Sequence, residues 1–135
     1  MLTGKKIVLG VSGGIAAYKM ANVASMLSKL HADIHVVMTE NATHFITPET
    51  FEVLTGNHCY TDTFDRCMEL HVPHIALGTQ ADAILIAPAS ADVVGKIANG
   101  IADDMLTTCV LPATCPVMLA PSMNVHKTLQ VRRCL

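Results

Sequence analysis

Four short apolar runs constrain this chain more than any other feature: KKIVLGV (5–11), DIHVVMT (33–39), DAILIAP (82–88) and PVMLAP (116–121). They are mostly continuous rather than alternating, which is the pattern of strands buried on both faces of a parallel sheet. Between the first two, over 14–30, Ala16, Met20, Val23, Leu27 and Leu30 recur at spacings of four, three, four and three, one face of a helix. Strand, helix and strand in about 30 residues make a βαβ unit. Thr47-Pro48-Glu49 opens a second helix with a hydroxyl cap, proline at the first helical position and an acid in the first turn, and Gly56 ends it. VPHIALGTQ (72–80) reads as a short helix and SADVVGKIANG (90–100) as another, closed by Asn99-Gly100. Asp103-Asp104 start a further helix through about Val110, because acids favour the positive helix end. The expectation is α/β, a three-layer sandwich around a parallel sheet.

Length and composition narrow the classes. A chain of 135 residues is expected to be a single domain, 1–135. With 51% apolar and 15% charged residues it is not a disordered chain. Its mean hydropathy of +0.43 calls for a sheet covered on both faces or a large surface buried between subunits. A formal charge of −2 with nine Lys and Arg, none in a dense run, argues against a nucleic-acid partner. Five cysteines, Cys59, Cys67, Cys109, Cys115 and Cys134, form no secreted framework and read as reduced cytoplasmic thiols. Lys5-Lys6 before IVLGVSGGIAAY superficially resembles a signal peptide, but Ser12-Gly13-Gly14 breaks the apolar region and leads into an amphipathic helix. No apolar run approaches the ~18 residues of a membrane span, so no membrane partner is expected.

In a parallel sheet ligands bind beyond the carboxyl ends of the strands. Those ends are Ser12-Gly13-Gly14, Thr39-Glu40-Asn41, Pro88-Ala89-Ser90 and Pro121-Ser122-Met123-Asn124, all rich in small or hydrogen-bonding residues. The first turn lacks the second glycine of a dinucleotide fingerprint, where Ser12 stands, and the Gly-Lys-Ser/Thr of a Walker A loop. It still offers amides and a positive helix end to an anion, and Thr39 at the next strand end can share a phosphate. A glycine turn serving only strand-to-helix geometry is the alternative. His71 and His74, with Cys59 and Cys67 upstream, match no common zinc spacing, so no metal site is expected. His74 alone is either a structural histidine or an acid–base group reaching the crevice. Asp103-Asp104 fit a helix start better than a catalytic carboxylate pair. Asn124 either caps a turn or fixes a substrate carboxylate or thiolate.

Four stretches together, GVSGGIAAYK, VVMTENATHFITP, HIALGTQADAILIAPASADVVGKIANGIADDMLTT and PVMLAPSMN, resemble the flavin-containing cysteine decarboxylases, above all the phosphopantothenoylcysteine decarboxylases of coenzyme A biosynthesis. The resemblance runs to Asn124 in the family's order and spacing. It implies a Rossmann-like flavoprotein fold that binds FMN as a homotrimer or an assembly of trimers, with the flavin at a subunit interface. By position, Gly13, Gly14, Ile15, Thr39, Phe45 and the turn of Ser90, Ala91, Asp92 and Val93 would line the FMN site, with Ser122 nearby. His74 corresponds to the family's active-site histidine, acting on its own or a neighbour's flavin. Met123 and Asn124 correspond to the substrate-binding Pro-x-Met-Asn motif, Asn124 also counting among the catalytic residues. The implied reaction oxidises the substrate's cysteinyl moiety to a thioaldehyde, with His74 assisting proton removal. Loss of carbon dioxide then leaves an enethiol, and reduced FMN returns its two electrons to give 4′-phosphopantetheine, with help from a cysteine on a downstream flap.

The sequence departs from the family after that motif. Where the pattern continues Met-(Trp/Tyr), Lys127 and Thr128 stand, and the sequence stops at Leu135. The segment carrying the flap cysteine, and the family domain's last strand and helix, are not in it, and Cys134 falls too early for that role. Residues after about Val125 read as a truncation, a frameshifted tail or the edge of a fragment, so turnover is expected to stall at the enethiol. Three other readings compete: a peptidyl-cysteine decarboxylase of the lantibiotic type, a flavin-binding subunit that has lost catalysis, and, more weakly, a flavin prenyltransferase. An NAD-binding domain with Glu40 as ribose acid fits least.

Overall fold

The structure is a computed structural model that describes residues 1–64 and 73–124. Strands β1 (Lys6–Val11), β2 (Asp33–Met38), β3 (Ala83–Ala89) and β4 (Val117–Pro121) pair in parallel in the order β2-β1-β3-β4. All four apolar runs are therefore strands, each within a residue or so of its expected bounds. The register sets Lys6 opposite Asp33 and Ile7 opposite Ala83, so β1 is hydrogen-bonded on both sides.

Helices α1 (Met20–Lys29), α2 (Pro48–Thr55), α3 (Pro73–Gln80), α4 (Ala91–Ala98) and α5 (Met105–Val110) connect the strands. Alternate strand residues face opposite layers. Leu9, Val11, Ile34, Val36 and Met38 pack with Ala24 of α1 and Phe51 of α2. Val8, Val37, Ile84 and Ile86 pack with Leu77 of α3, Val93 and Val94 of α4, and Met105 and Leu106 of α5. The result is the expected three-layer sandwich. Among the described residues no helix is long and apolar enough to cross a membrane.

Three local expectations need correction. The helix expected over 14–30 begins as a 3-10 turn, Ile15–Lys19, before α1. No side chain caps that start, so the chain tightens instead, and Ala17 N–H donates to the Gly14 carbonyl (3.0 Å). Thr47 precedes α2 as expected, but its hydroxyl pairs with the Thr50 hydroxyl (3.0 Å) and caps no backbone amide. Gly56 does close α2, in the left-handed region at φ 74°. Finally, β4 is not buried on both faces: every residue of Val117–Pro121 is exposed. Among the described residues it is an edge strand paired only with β3, and the described helices leave both of its faces largely open.

Candidate functional site

The chain runs from β1 outward to β2, then returns to the other side of β1 for β3. The carboxyl ends of β1 and β3 therefore diverge at a topological switch point, where open α/β sheets leave a crevice. A cavity of about 450 Å³ lies there, within the usual range for a small-molecule site. Gly13 follows β1, Thr39, Glu40 and Asn41 follow β2, and Ser90 to Val93 follow β3; all of them line it. Three of the four expected strand ends thus converge. The fourth, Ser122 to Asn124, follows β4 and is not in the lining.

Local chemistry holds these turns in place. Ser12 is fully buried, its hydroxyl donating to the Pro88 carbonyl and accepting from the Ser90 N–H (2.9 Å). The residue that breaks the dinucleotide pattern is thus the tie between β1 and β3. It also presents Ser90, whose Oγ accepts from the Val93 N–H (3.3 Å) and caps α4. A Cβ on Gly13 would lie 2.5 Å from the Asn41 Cβ, so a side chain there would separate the β1 and β2 turns. At Thr39, Oγ1 accepts from the Ala42 N–H (3.2 Å).

What the cavity offers a ligand is mainly backbone. Among the described residues, the amides of Gly13 and Gly14 and the first two N–H groups of α4, at Ala91 and Asp92, donate to no protein acceptor. A Cβ at Gly14 would meet nothing within 4 Å, so that turn opens onto free space. Unpaired amides beside a helix N-terminus suit a phosphate group. The lining side chains have the opposite charge balance: Glu40, Asp92, Asp103 and Asp104 against the ammonium of Lys96.

Asp104 is occupied elsewhere. Its carboxylate accepts from the Thr107 N–H and hydroxyl (2.7 Å each), and its own N–H donates to the Thr107 Oγ1 (3.3 Å), closing a capping box on α5. The helix-start reading of this pair holds for Asp104. Asp103 instead binds Lys96 (3.1 Å), which also binds Asp92 (3.1 Å). Hydrogen bonds donated to Asp103 and then to Asp92 raise the Lys96 pKa, so the ammonium stays charged. The spacing of Asp92 and Lys96 makes a helical i, i+4 pair readable in the sequence, but the Asp103 bond depends on the path of residues 99–104.

His74 is the second residue of α3, whose C-terminus feeds the start of β3. That places His74 at the same edge of the sheet as the cavity, though not in its lining. Its Nδ1 is buried with no hydrogen-bond partner among the described residues. Ile15 (82% exposed) and Phe45 (51% exposed) lie outside the lining and turn apolar surface to solvent. Met123 is half-buried and Asn124 and Ser122 are exposed. His71, Cys67 and Cys134 lie outside the described residues, as do Val125, Lys127 and Thr128. Among the described residues no cluster of His, Cys, Asp or Glu could hold a metal ion, and Cys59, Cys109 and Cys115 are free thiols.

A parallel sandwich with an amide-lined crevice at its switch point defines an α/β domain built to hold an anionic small molecule. The particular lineage follows from comparison: the model of the Flavoprotein family matches residues 1–131, and the chain belongs to that family. It is 50% identical over 126 residues to the coenzyme A biosynthesis bifunctional protein CoaBC of Bacillus subtilis, covering 93% of this chain and 31% of that protein. The chain thus spans about a third of the length of the curated relatives it matches. Among solved structures it resembles the FMN-dependent cysteine decarboxylase SpaF, with a TM-score of 0.89 and 36% identity, covering 98% of this chain and 78% of that one. It also resembles a phosphopantothenoylcysteine decarboxylase C175S mutant complexed with pantothenoylaminoethenethiol, with a TM-score of 0.79 and 29% identity, covering 96% and 75%.

Proposed function

We propose that this chain is the FMN-binding decarboxylase domain that acts on the cysteinyl moiety of 4′-phospho-N-pantothenoylcysteine in coenzyme A biosynthesis. The observation that carries it is the switch-point cavity with unpaired amides at Gly13, Ala91 and Asp92, and at Gly14 just outside its lining, in a chain 50% identical over 126 residues to a coenzyme A biosynthesis protein. The residues fit FMN in kind: amides and Thr39 for its phosphate, and Ile15 and Phe45 as apolar surface for its ring. When bound, FMN supplies a two-electron oxidant for the substrate's thiol-bearing carbon.

The chain's own residues supply position and proton handling. His74, at the same edge of the sheet as the cavity, takes a proton from the substrate. Ser90 to Val93 hold the cofactor turn in place through the Ser12 tie. Met123 and Asn124 hold the substrate, the Asn124 amide serving its carboxylate or thiolate. Ile15 and Phe45 are exposed in a single chain, which supports a homotrimer, or an assembly of trimers, that covers them. A cytoplasmic setting accords with the free thiols.

Purified protein mixed with FMN should turn yellow after gel filtration and release carbon dioxide from phosphopantothenoylcysteine. A protein that stays colourless refutes the flavin reading. The resemblance to SpaF favours one second reading, a cysteine decarboxylase acting on peptides. Faster turnover of a peptide ending in cysteine than of phosphopantothenoylcysteine would select it.

A further inference from the structure

The cavity poses an electrostatic problem for the ligand proposed for it. FMN brings a phosphate of about two negative charges at neutral pH, and four carboxylates line the cavity. Asp104 is engaged in its capping box and Glu40 is exposed to solvent. Asp92 and Asp103 remain, and both lie 3.1 Å from the Lys96 Nζ. Both carboxylates border the cavity, and without the shared nitrogen their two charges would face it without a counter-charge.

We propose that Lys96 is a positioning residue that makes the cavity compatible with an anion, by holding the Asp92 and Asp103 carboxylates to itself and away from the phosphate. The proposal rests on the FMN reading. Lys96 is suited to the role by its place rather than by direct contact. It lies on α4 one turn beyond Asp92, and it reaches across to the segment that leads into α5. Its side chain is 24% exposed, whereas those of Asp92 and Asp103 are 64% and 56% exposed, so the lysine is the sheltered member of the trio. The trio carries one net negative charge. Removing the ammonium doubles that charge and frees both carboxylates.

The test measures FMN affinity by flavin fluorescence quenching across a salt series. Lys96→Met should weaken FMN binding roughly ten-fold at low salt, since one added charge near a phosphate is felt strongly there. The deficit should shrink to about two-fold at 0.5 M salt, where charges are screened within a few ångströms. Lys96→Arg should bind nearly as wild type, because it preserves both ion pairs. The double variant Lys96→Met with Asp103→Asn should recover most of the loss, because it restores the net charge without the lysine. Circular dichroism and melting of each apoprotein separate a folding defect from a binding defect. If Lys96→Met alone does not fold, the charge-restored double variant carries the test, and a ten-fold deficit in it overturns the proposal. So does wild-type affinity in Lys96→Met at low salt, or a deficit that salt does not reduce. Wild-type protein that binds no FMN at any salt overturns the flavin reading itself, and this role with it.

Discussion

Two cysteines show how burial sets reactivity in this domain. The Cys59 thiol is pushed up to about 12 by burial and then by the nearby Glu52 and Glu49 carboxylates. Cys109 is pushed up to about 12 by burial and by Asp104. Both thiols remain protonated in the folded protein at pH values where an unfolded chain, titrating near 9, has lost the proton. The folded state then binds more protons than the unfolded one, so stability falls as pH rises. Their contribution is fully present below pH 9 and is lost between 9 and about 12, by about 1.4 kcal/mol per pH unit for each thiol. Urea midpoints measured from pH 8 to 11 should decline on that schedule. Cys59→Ala and Cys109→Ala should each flatten the decline while lowering the midpoint at pH 8. An unchanged slope in both variants would contradict the burial argument. Nothing in the spacing of five cysteines distinguishes these two from Cys115, because the difference comes from the helices packed over them.

At the scale of elements, much was legible because it is written in local chemistry. Proline at the start of α2, glycine at its end and Asp104 before α5 each act through their own backbone neighbourhood, so the sequence places those boundaries closely. The contacts that hold the cavity together are not local. Ser12 meets Pro88 and Ser90 across 76 and 78 residues, and Lys96 meets Asp103 only because residues 99–104 turn back. The sequence therefore marked the lining at Gly13, Thr39 and Ser90 but not the ties that position it. Gly78 is a further case. Its pattern reads as an unremarkable mid-helix glycine, yet a Cβ there would lie 2.3 Å from the Cys109 carbonyl oxygen and 2.9 Å from Pro112. The glycine lets α3 and α5 approach closely, and α3 carries His74. In Gly78→Ala the helix-propensity gain is outweighed by overpacking against backbone, so the variant should lose about 1–3 kcal/mol. Chemical denaturation measures that loss, and a stabilised variant would show that the helices can separate without cost.

For the whole molecule, the high mean hydropathy admits two explanations, and the structure apportions them. β1, β2 and β3 are largely buried between the helical layers, as parallel strands should be. β4 instead leaves Val117 (37%), Met118 (51%) and Leu119 (39%) in contact with solvent, on an edge that among the described residues has one hydrogen-bonded neighbour. Ile15, Phe45, Val53 and Leu111 add exposed apolar surface elsewhere. An apolar edge strand of this kind favours association, through its free backbone groups as well as its side chains. Val117 and Leu119 point to one face of β4 and Met118 to the other, by the two-residue period of a strand. Light scattering on the wild-type chain should show an apparent mass that climbs above 14.4 kDa as concentration rises from micromolar toward millimolar. Val117→Lys with Leu119→Lys should suppress that climb by placing two charges on the edge, whereas Val53→Lys, on α2, should leave it largely intact. Equal suppression by both would assign the association to general surface apolarity, and a wild-type chain that stays monomeric throughout would remove β4 as its cause.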